Sequence, residues 1–206
     1  MAQVLMVYKE VQIANEKAKG ERLWSVISYD EKPGIQAVGN TASDLPPVPG
    51  KYPAMARDSE YRRYGTVILL AGIDLHNGQV TGIVRDRHRS REFIEFLSVL
   101  DQRYPTDWKL RIILDNHSAH VSKEKIQWLK KYPNRFEFIH TPKHGSWLNL
   151  IEIFFSKMVR SFLRFIRVSS KEDLKERIEK YLNKMNEENE EPVIFRWKYK
   201  MDEILV

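Results

Sequence analysis

Apolar residues along this chain come in short runs divided by polar, proline and glycine punctuation. The run Leu23-Trp24-Ser25-Val26-Ile27-Ser28-Tyr29 is rich in β-branched and aromatic residues, which predicts a strand with an acid, Asp30, at its carboxyl end. Pro33-Gly34 predicts a turn, and 35–38 a second short strand. Between Asp44 and Pro53, four prolines and a glycine dictate an irregular connection, long enough to be a functional loop. Strands over 64–74 and 79–85 follow, joined at Asn77-Gly78, a dipeptide tight hairpins favour because both central residues take positive φ. Phe93, Phe96, Leu97 and Leu100 predict a helix over 90–104 with Ser90 as its N-cap. A strand over 109–114 ending at Asp115, a helix over 122–131 using Ile126 and Leu129, and a strand over 136–140 come next. Ser169-x-x-Glu172 reads as a capping box opening a last helix, whose stripe is Leu174, Ile178, Tyr181, Leu182 and Met185.

Strands with hairpin character followed by helix, strand, helix, strand predict an α/β fold, a mixed sheet covered by helices. Residues 7–22 are polar and weakly periodic, so 1–22 read as a leader or linker remnant, 23–188 as one domain and 189–206 as a tail. With 206 residues the chain can bury a core without disulfide staples.

Composition narrows the chemistry. Cysteine is absent, which excludes thiol catalysis, iron–sulfur clusters and Cys-based zinc fingers, and fits a reducing compartment such as the cytoplasm. The longest apolar stretch, 148–155, is interrupted by Asn149 and Glu152 and falls far short of the ~20 residues a membrane span needs. Residues 1–6 run straight into charges and do not form a signal peptide, so no membrane partner is expected. Lys and Arg number 34 against 28 acids, a net charge of +6, and the excess is local. Lys143, Lys157, Arg160, Arg164 and Arg167 share the segment 141–168 with one acid, Glu152, which suits a polyanionic partner. A second cluster, Arg85 to Arg91, has arginine at every other position, and an extended backbone would turn all four to one side.

Three carboxylates stand out. Asp30 and Asp115 each follow an apolar strand, and if those strands are neighbours the two acids converge at a sheet edge where open α/β sheets place ligands. Glu152 is nearly surrounded by apolar side chains, where an ionised carboxylate is costly unless it is paired or bound to a cation. A helical wheel puts Ile151, Phe155, Met158 and Phe162 on one stripe and Lys157, Arg160, Arg164 and Arg167 on the opposite one, with Glu152 at the border beside Asn149 and Ser156. Oxygen donors suit two hard cations, Mg²⁺ or Mn²⁺, acting on a phosphodiester. Each acid also has a plainer reading: Asp30 and Asp115 as turn or cap residues, Glu152 as a boundary acid paired with Arg160 or a neighbouring helix.

These residues fall in motifs that resemble a known family. Tyr29-Asp30-Glu31-Lys32 with Ile35-Gln36-Ala37, Leu114-Asp115-Asn116-His117-Ser118-Ala119-His120, and Thr141-Pro142-Lys143-His144-Gly145-Ser146-Trp147-Leu148-Asn149-Leu150-Ile151-Glu152-Ile153-Phe154-Phe155 are similar to the signatures of DDE transposases of bacterial insertion sequences related to the mariner group. Thirty-six residues separate Asp115 from Glu152, in keeping with the short spacing of such enzymes. The resemblance implies a ribonuclease-H-like fold with a mixed five-stranded sheet flanked by helices. It implies a metal-binding triad of Asp30, Asp115 and Glu152 and a site shaped by Asn116, His120, Trp147 and Asn149, while the local basic excess offers Lys143, Lys157, Arg160, Arg164 and Arg167 as DNA contacts. The implied chemistry is attack of water and then of a 3′-hydroxyl on DNA phosphodiesters, with transposon ends and target DNA as partners and a homodimer as the active complex. Glu31 is the rival to Asp30, but on a continuing strand it points to the opposite face. Helix-turn-helix modules precede the catalytic domain in full-length members of the family. They do not fit in about 20 residues, so a separate chain carrying them is a further expected partner.

Three other readings compete. His117-x-x-His120 and His140-x-x-x-His144 have zinc-ligand spacings. A ribonuclease-H-like nuclease without strand transfer would use the same carboxylates, and an inactive nucleic-acid-binding or inhibitory fragment would need only the basic surface.

Overall fold

The computed structural model describes residues 2–16, 22–55, 60–115, 122–143, 145 and 148–188. Helix α1 (Ala2–Glu16) leads into strand β1 (Trp24–Asn40), β2 (Tyr61–Asp74) and β3 (Val80–Arg85). Helix α2 (Ser90–Arg103), β4 (Lys109–Leu114), α3 (Lys123–Leu129) and β5 (Phe136–His140) follow, and then α4 (Ile151–Ser161), a 3₁₀ turn (Leu163–Phe165) and α5 (Lys171–Glu188). The five strands form one sheet in the order β3-β2-β1-β4-β5. β1 pairs antiparallel with β2, which pairs antiparallel with β3, while β1 and β4 run parallel, as do β4 and β5. The sheet is the mixed five-stranded one that the strand and helix order predicts.

Alternation along β1 sends neighbouring residues to opposite faces. Val26 joins a core built with Leu5, Tyr8, Ile151, Met158 and Ile178, so α1, α4 and α5 cover that face. Ile27 and Tyr29 join Phe93, Phe96 and Leu97 of α2 on the other face.

Several local expectations are corrected. Residues 2–16 are not a leader outside the domain: Val4, Leu5, Val7, Tyr8 and Val11 are buried in the main core. The stripe begins inside the apolar run at the start of the chain, which a window opening at residue 7 misses. Pro33-Gly34 does not end the first strand but sits at a bulge within β1, between Lys32 and Ile35, with Gly34 at φ 68°. Pairing with β2 resumes at Ile35 and carries the strand on to Asn40. At the β2–β3 turn only Gly78 has positive φ (70°), and Gly78 N–H donates to the Asp74 carbonyl across a wider loop.

Caps shift as well. Arg89 precedes α2, with its N–H donating to Glu92 (2.7 Å), and Ser170, not Ser169, caps α5 by accepting from Asp173 N–H (3.0 Å). Ser122 caps α3 and sets its phase, so Ile126 is 51% exposed while Lys125 is buried with its ammonium 4.1 Å from the centre of the Phe138 ring. The arginines from 85 to 91 do not share one extended face, because the chain bends after β3 and enters α2 at Ser90. Arg85 pairs with Glu95, and the intervening Asp86 with Lys171 and Lys175.

Candidate active site

Asp30 lies in the middle of β1, not at the strand end where the apolar pattern puts it. The parallel register runs from Trp24 beside Lys109 to Ser28 beside Ile113. The register ends there, and Asp115, the first residue past β4, is near enough for its charge to act on Asp30. Tyr29 packs on Phe93 and Phe96 (ring centres 5.0 and 4.6 Å apart) on the α2 side, and its hydroxyl donates to Glu31 (2.8 Å). Ser28 and Asp30, of opposite parity, face α4.

Glu152 is in the first turn of α4, where the helix dipole favours a carboxylate. A buried hydrogen-bond network locks this turn onto β1. Asn149, 1% exposed, donates from Nδ2 to the Tyr29 carbonyl (2.7 Å) and accepts at Oδ1 from the Ser28 hydroxyl. The same hydroxyl oxygen accepts from Ile151 N–H (3.1 Å), and Glu152 N–H donates to the Asn149 carbonyl (3.1 Å). From α1, the Tyr8 hydroxyl donates to the Leu148 carbonyl. Ser28 and Tyr8 were not singled out from sequence. Ser28 left a trace, a polar residue inside an apolar strand, but Tyr8 left none.

Asp30, Glu31, Glu152, Ser156 and Arg160 line a groove of about 440 Å³. Burial pushes the Asp30 carboxyl up to about 7, the charges of Glu31, Asp115 and Glu152 add to the rise, and the Glu31 N–H bond (2.8 Å) opposes it. Among the described residues neither Asp30 nor Glu152 has an ion-pair partner, so the plainer reading of Glu152 as half of a pair with Arg160 is not what the geometry shows. The acids are within electrostatic reach of one another. Among the described residues, however, no three His, Cys, Asp or Glu side chains are gathered tightly enough to hold one ion. An all-oxygen donor set whose like charges repel is chemically suited to a hard divalent cation.

The expected four-residue basic stripe is broken. Helix α4 ends at Ser161, so only Lys157 and Arg160 are on it. Phe162 stacks on Tyr181 of α5 (4.6 Å), and Val168 N–H donates to the Val38 carbonyl (2.9 Å), which forces the chain to turn. Arg164 falls in the 3₁₀ turn, and Arg167 beyond it donates from Nε to Asn40 (3.0 Å). Lys143 and Lys157 are exposed and do not line this groove. Asn116, His120 and Trp147 lie outside the described residues, as do His117 and His144 of the zinc reading. His140 Nδ1 donates to the Asp115 carbonyl (3.1 Å).

A family model described as a DDE superfamily endonuclease matches residues 25–175, a span that includes Asp30, Asp115 and Glu152. This chain belongs to the DDE superfamily of endonucleases. Over 85 residues the DDE domain is 34% identical to the insertion element IS630 uncharacterized 39 kDa protein of Shigella sonnei, covering 40% of this chain and 24% of that protein. Its fold is similar to the Mos1 mariner paired-end complex with Mn, at TM-score 0.57 and 14% identity over 91% of this chain and 55% of that one. It is also similar to the isolated catalytic domain of Mos1 mariner transposase, at TM-score 0.50 and 14% identity over 93% of this chain and 92% of that one. The fold is therefore the ribonuclease-H-like one. The DDE chain spans about a quarter of the curated relative and just over half of the Mos1 chain in the paired-end complex. Among the described residues no helix is long and apolar enough to cross a membrane.

Proposed function

We propose that this DDE endonuclease domain cuts DNA at the ends of an insertion sequence and joins the resulting 3′ ends to target DNA. The reading is supported by Asp30 and the α4 carboxylate Glu152 lining one groove with Arg160 on its wall, and by Asp115 lying close enough for its charge to act on Asp30. Asp30, Asp115 and Glu152 would hold two Mg²⁺ or Mn²⁺ ions, which supply Lewis-acid activation of an attacking oxygen and charge relief at a leaving one. Ser28 and Asn149 hold Glu152 against β1, so the oxygens are aimed before substrate arrives. Arg160 is placed to offset phosphate charge at the groove. In the first step water attacks phosphorus and a 3′-hydroxyl leaves. In the second that 3′-hydroxyl attacks a target phosphodiester and displaces a 3′-oxygen, with no protein-bound intermediate. The work would be done in the cytoplasm, on nucleoid DNA.

A homodimer in the active complex is supported by the paired-end assembly of Mos1 and by Leu45, Val48, Tyr52 and Met55, exposed on the connection between β1 and β2. The test is incubation of the chain with labelled element ends and supercoiled target in Mn²⁺. Products with donor joined to target, made by a complex holding two chains, are expected. Nicks alone would leave a nuclease without strand transfer, and binding without any cut would leave an inhibitory fragment.

A further inference from the structure

The carboxylate groove does not end at the acids. A second recess of about 320 Å³ adjoins it and shares Lys32, Pro33 and Val159 as lining. The shared wall is the β1 bulge, and bulges beside active sites re-aim side chains. The two recesses differ in charge. The first holds Asp30, Glu31 and Glu152, whereas the second has no acid among the described residues of its lining and is formed by Lys32, Arg164 and Arg167 together with Gln36 and the apolar Ile35, Val159 and Leu163. Arg167 is held in place through Nε on Asn40 and Nη1 on the Ile166 carbonyl (2.9 Å).

Building on the proposed DNA-cutting activity, we infer that the second recess holds an unpaired DNA strand running away from the cut phosphodiester, with Lys32 and Arg164 on its phosphates. These cations can track the strand's backbone by charge, as in single-strand grooves, while its sugars rest on the apolar side chains in place of a stacking platform. A duplex carries its phosphates on the outside of a stiff rod and would touch only the rim of a recess this small. The carboxylate end suits the reacting phosphate, and the basic end suits phosphates that do not react.

The test is fluorescence anisotropy of a labelled single strand and of a blunt duplex over a salt series without divalent cation, so that binding is read apart from cutting. Arg164 is exposed and Lys32 half-buried, so Lys32→Gln with Arg164→Gln leaves the core intact. Each lost contact should lower the slope of log K against log salt on a single strand by about 0.7, so the paired variant should lose about 1.4. Lys180→Gln, on a residue paired with Glu176 of α5, removes a charge elsewhere and should leave the slope unchanged. An unchanged slope in the paired variant, an equal fall with Lys180→Gln, or a fall on duplex alone would overturn the inference even if the chain cuts DNA. A fall confined to the paired variant on the single strand would uphold it even if the chain proved unable to join ends.

Discussion

Glu152→Gln and Asp115→Asn proteins are expected to fold like the parent and to leave a labelled DNA end uncut. Changes to residues that merely support a metal ligand already cost roughly 10- to 100-fold, so losing a ligand should reduce nicking by more than about 100-fold. Folding should survive because Glu152 has no ion-pair partner among the described residues to leave stranded. Nicking by Glu152→Gln at the parental rate would remove it from the site. The same acids predict a metal effect with a definite pH sense. Asp30 titrates at about 7 in the folded chain, well above its ordinary 3.8, so between those values the folded state holds a proton that the unfolded state has released. Stability from this group is therefore greatest at the acid end of that window and falls as pH rises through about 7. A divalent cation competes with that proton and relieves the repulsion left when it departs. Millimolar Mg²⁺ should accordingly raise the melting temperature more at pH 8 than at pH 6, as thermal melts would show. An equal rise at both pH values would detach the metal from Asp30.

Asn149→Ala should damage both stability and catalysis. Its side chain is buried and bonds the Tyr29 carbonyl and the Ser28 hydroxyl together, so truncation removes two buried hydrogen bonds and takes the acceptor from the Ser28 O–H. Unsatisfied buried groups cost about 1–3 kcal/mol each, which puts the expected loss at about 3 kcal/mol. Urea unfolding should show a lower midpoint with an unchanged slope. Nicking should also fall by about 100-fold in the protein that remains folded, because a 1 Å displacement of a positioned group has that effect. Ser28→Ala disturbs the same node from the strand side and should shift both quantities in the same direction. A parental midpoint in Asn149→Ala would show that the 148–151 turn is held by packing alone.

Elements that stand on local contrast were legible in the sequence. β4 and β5 are short apolar runs between turns, and α2 carries Phe93, Phe96, Leu97 and Leu100 on one buried face. Errors gathered where distant partners outweigh local preference. Pro33-Gly34 has the composition of a turn, but β2 pairs on both sides of it and keeps β1 continuous. An unbroken helical wheel from Ile151 to Arg167 ignores the Phe162–Tyr181 stack and the bond from Val168 to β1, which end the helix at Ser161.

Sequence by itself determined the kinds of element, the absence of thiol chemistry and the three motifs around Asp30, Asp115 and Glu152 that carry the resemblance to DDE enzymes. Periodicity and residue chemistry are local properties, and each can be read within a window of a few turns or one strand. Tertiary structure alone decided what stands beside what. Parallel pairing of β1 with β4 brings Asp115 within electrostatic reach of Asp30, and the buried Ser28–Asn149 network brings in the helix bearing Glu152. The bulge at Pro33-Gly34 joins an acidic recess to a basic one through Lys32, a residue with no local mark of importance. Register, burial of polar nodes and the joining of grooves depend on contacts between residues far apart in the chain, and a one-dimensional pattern does not contain them.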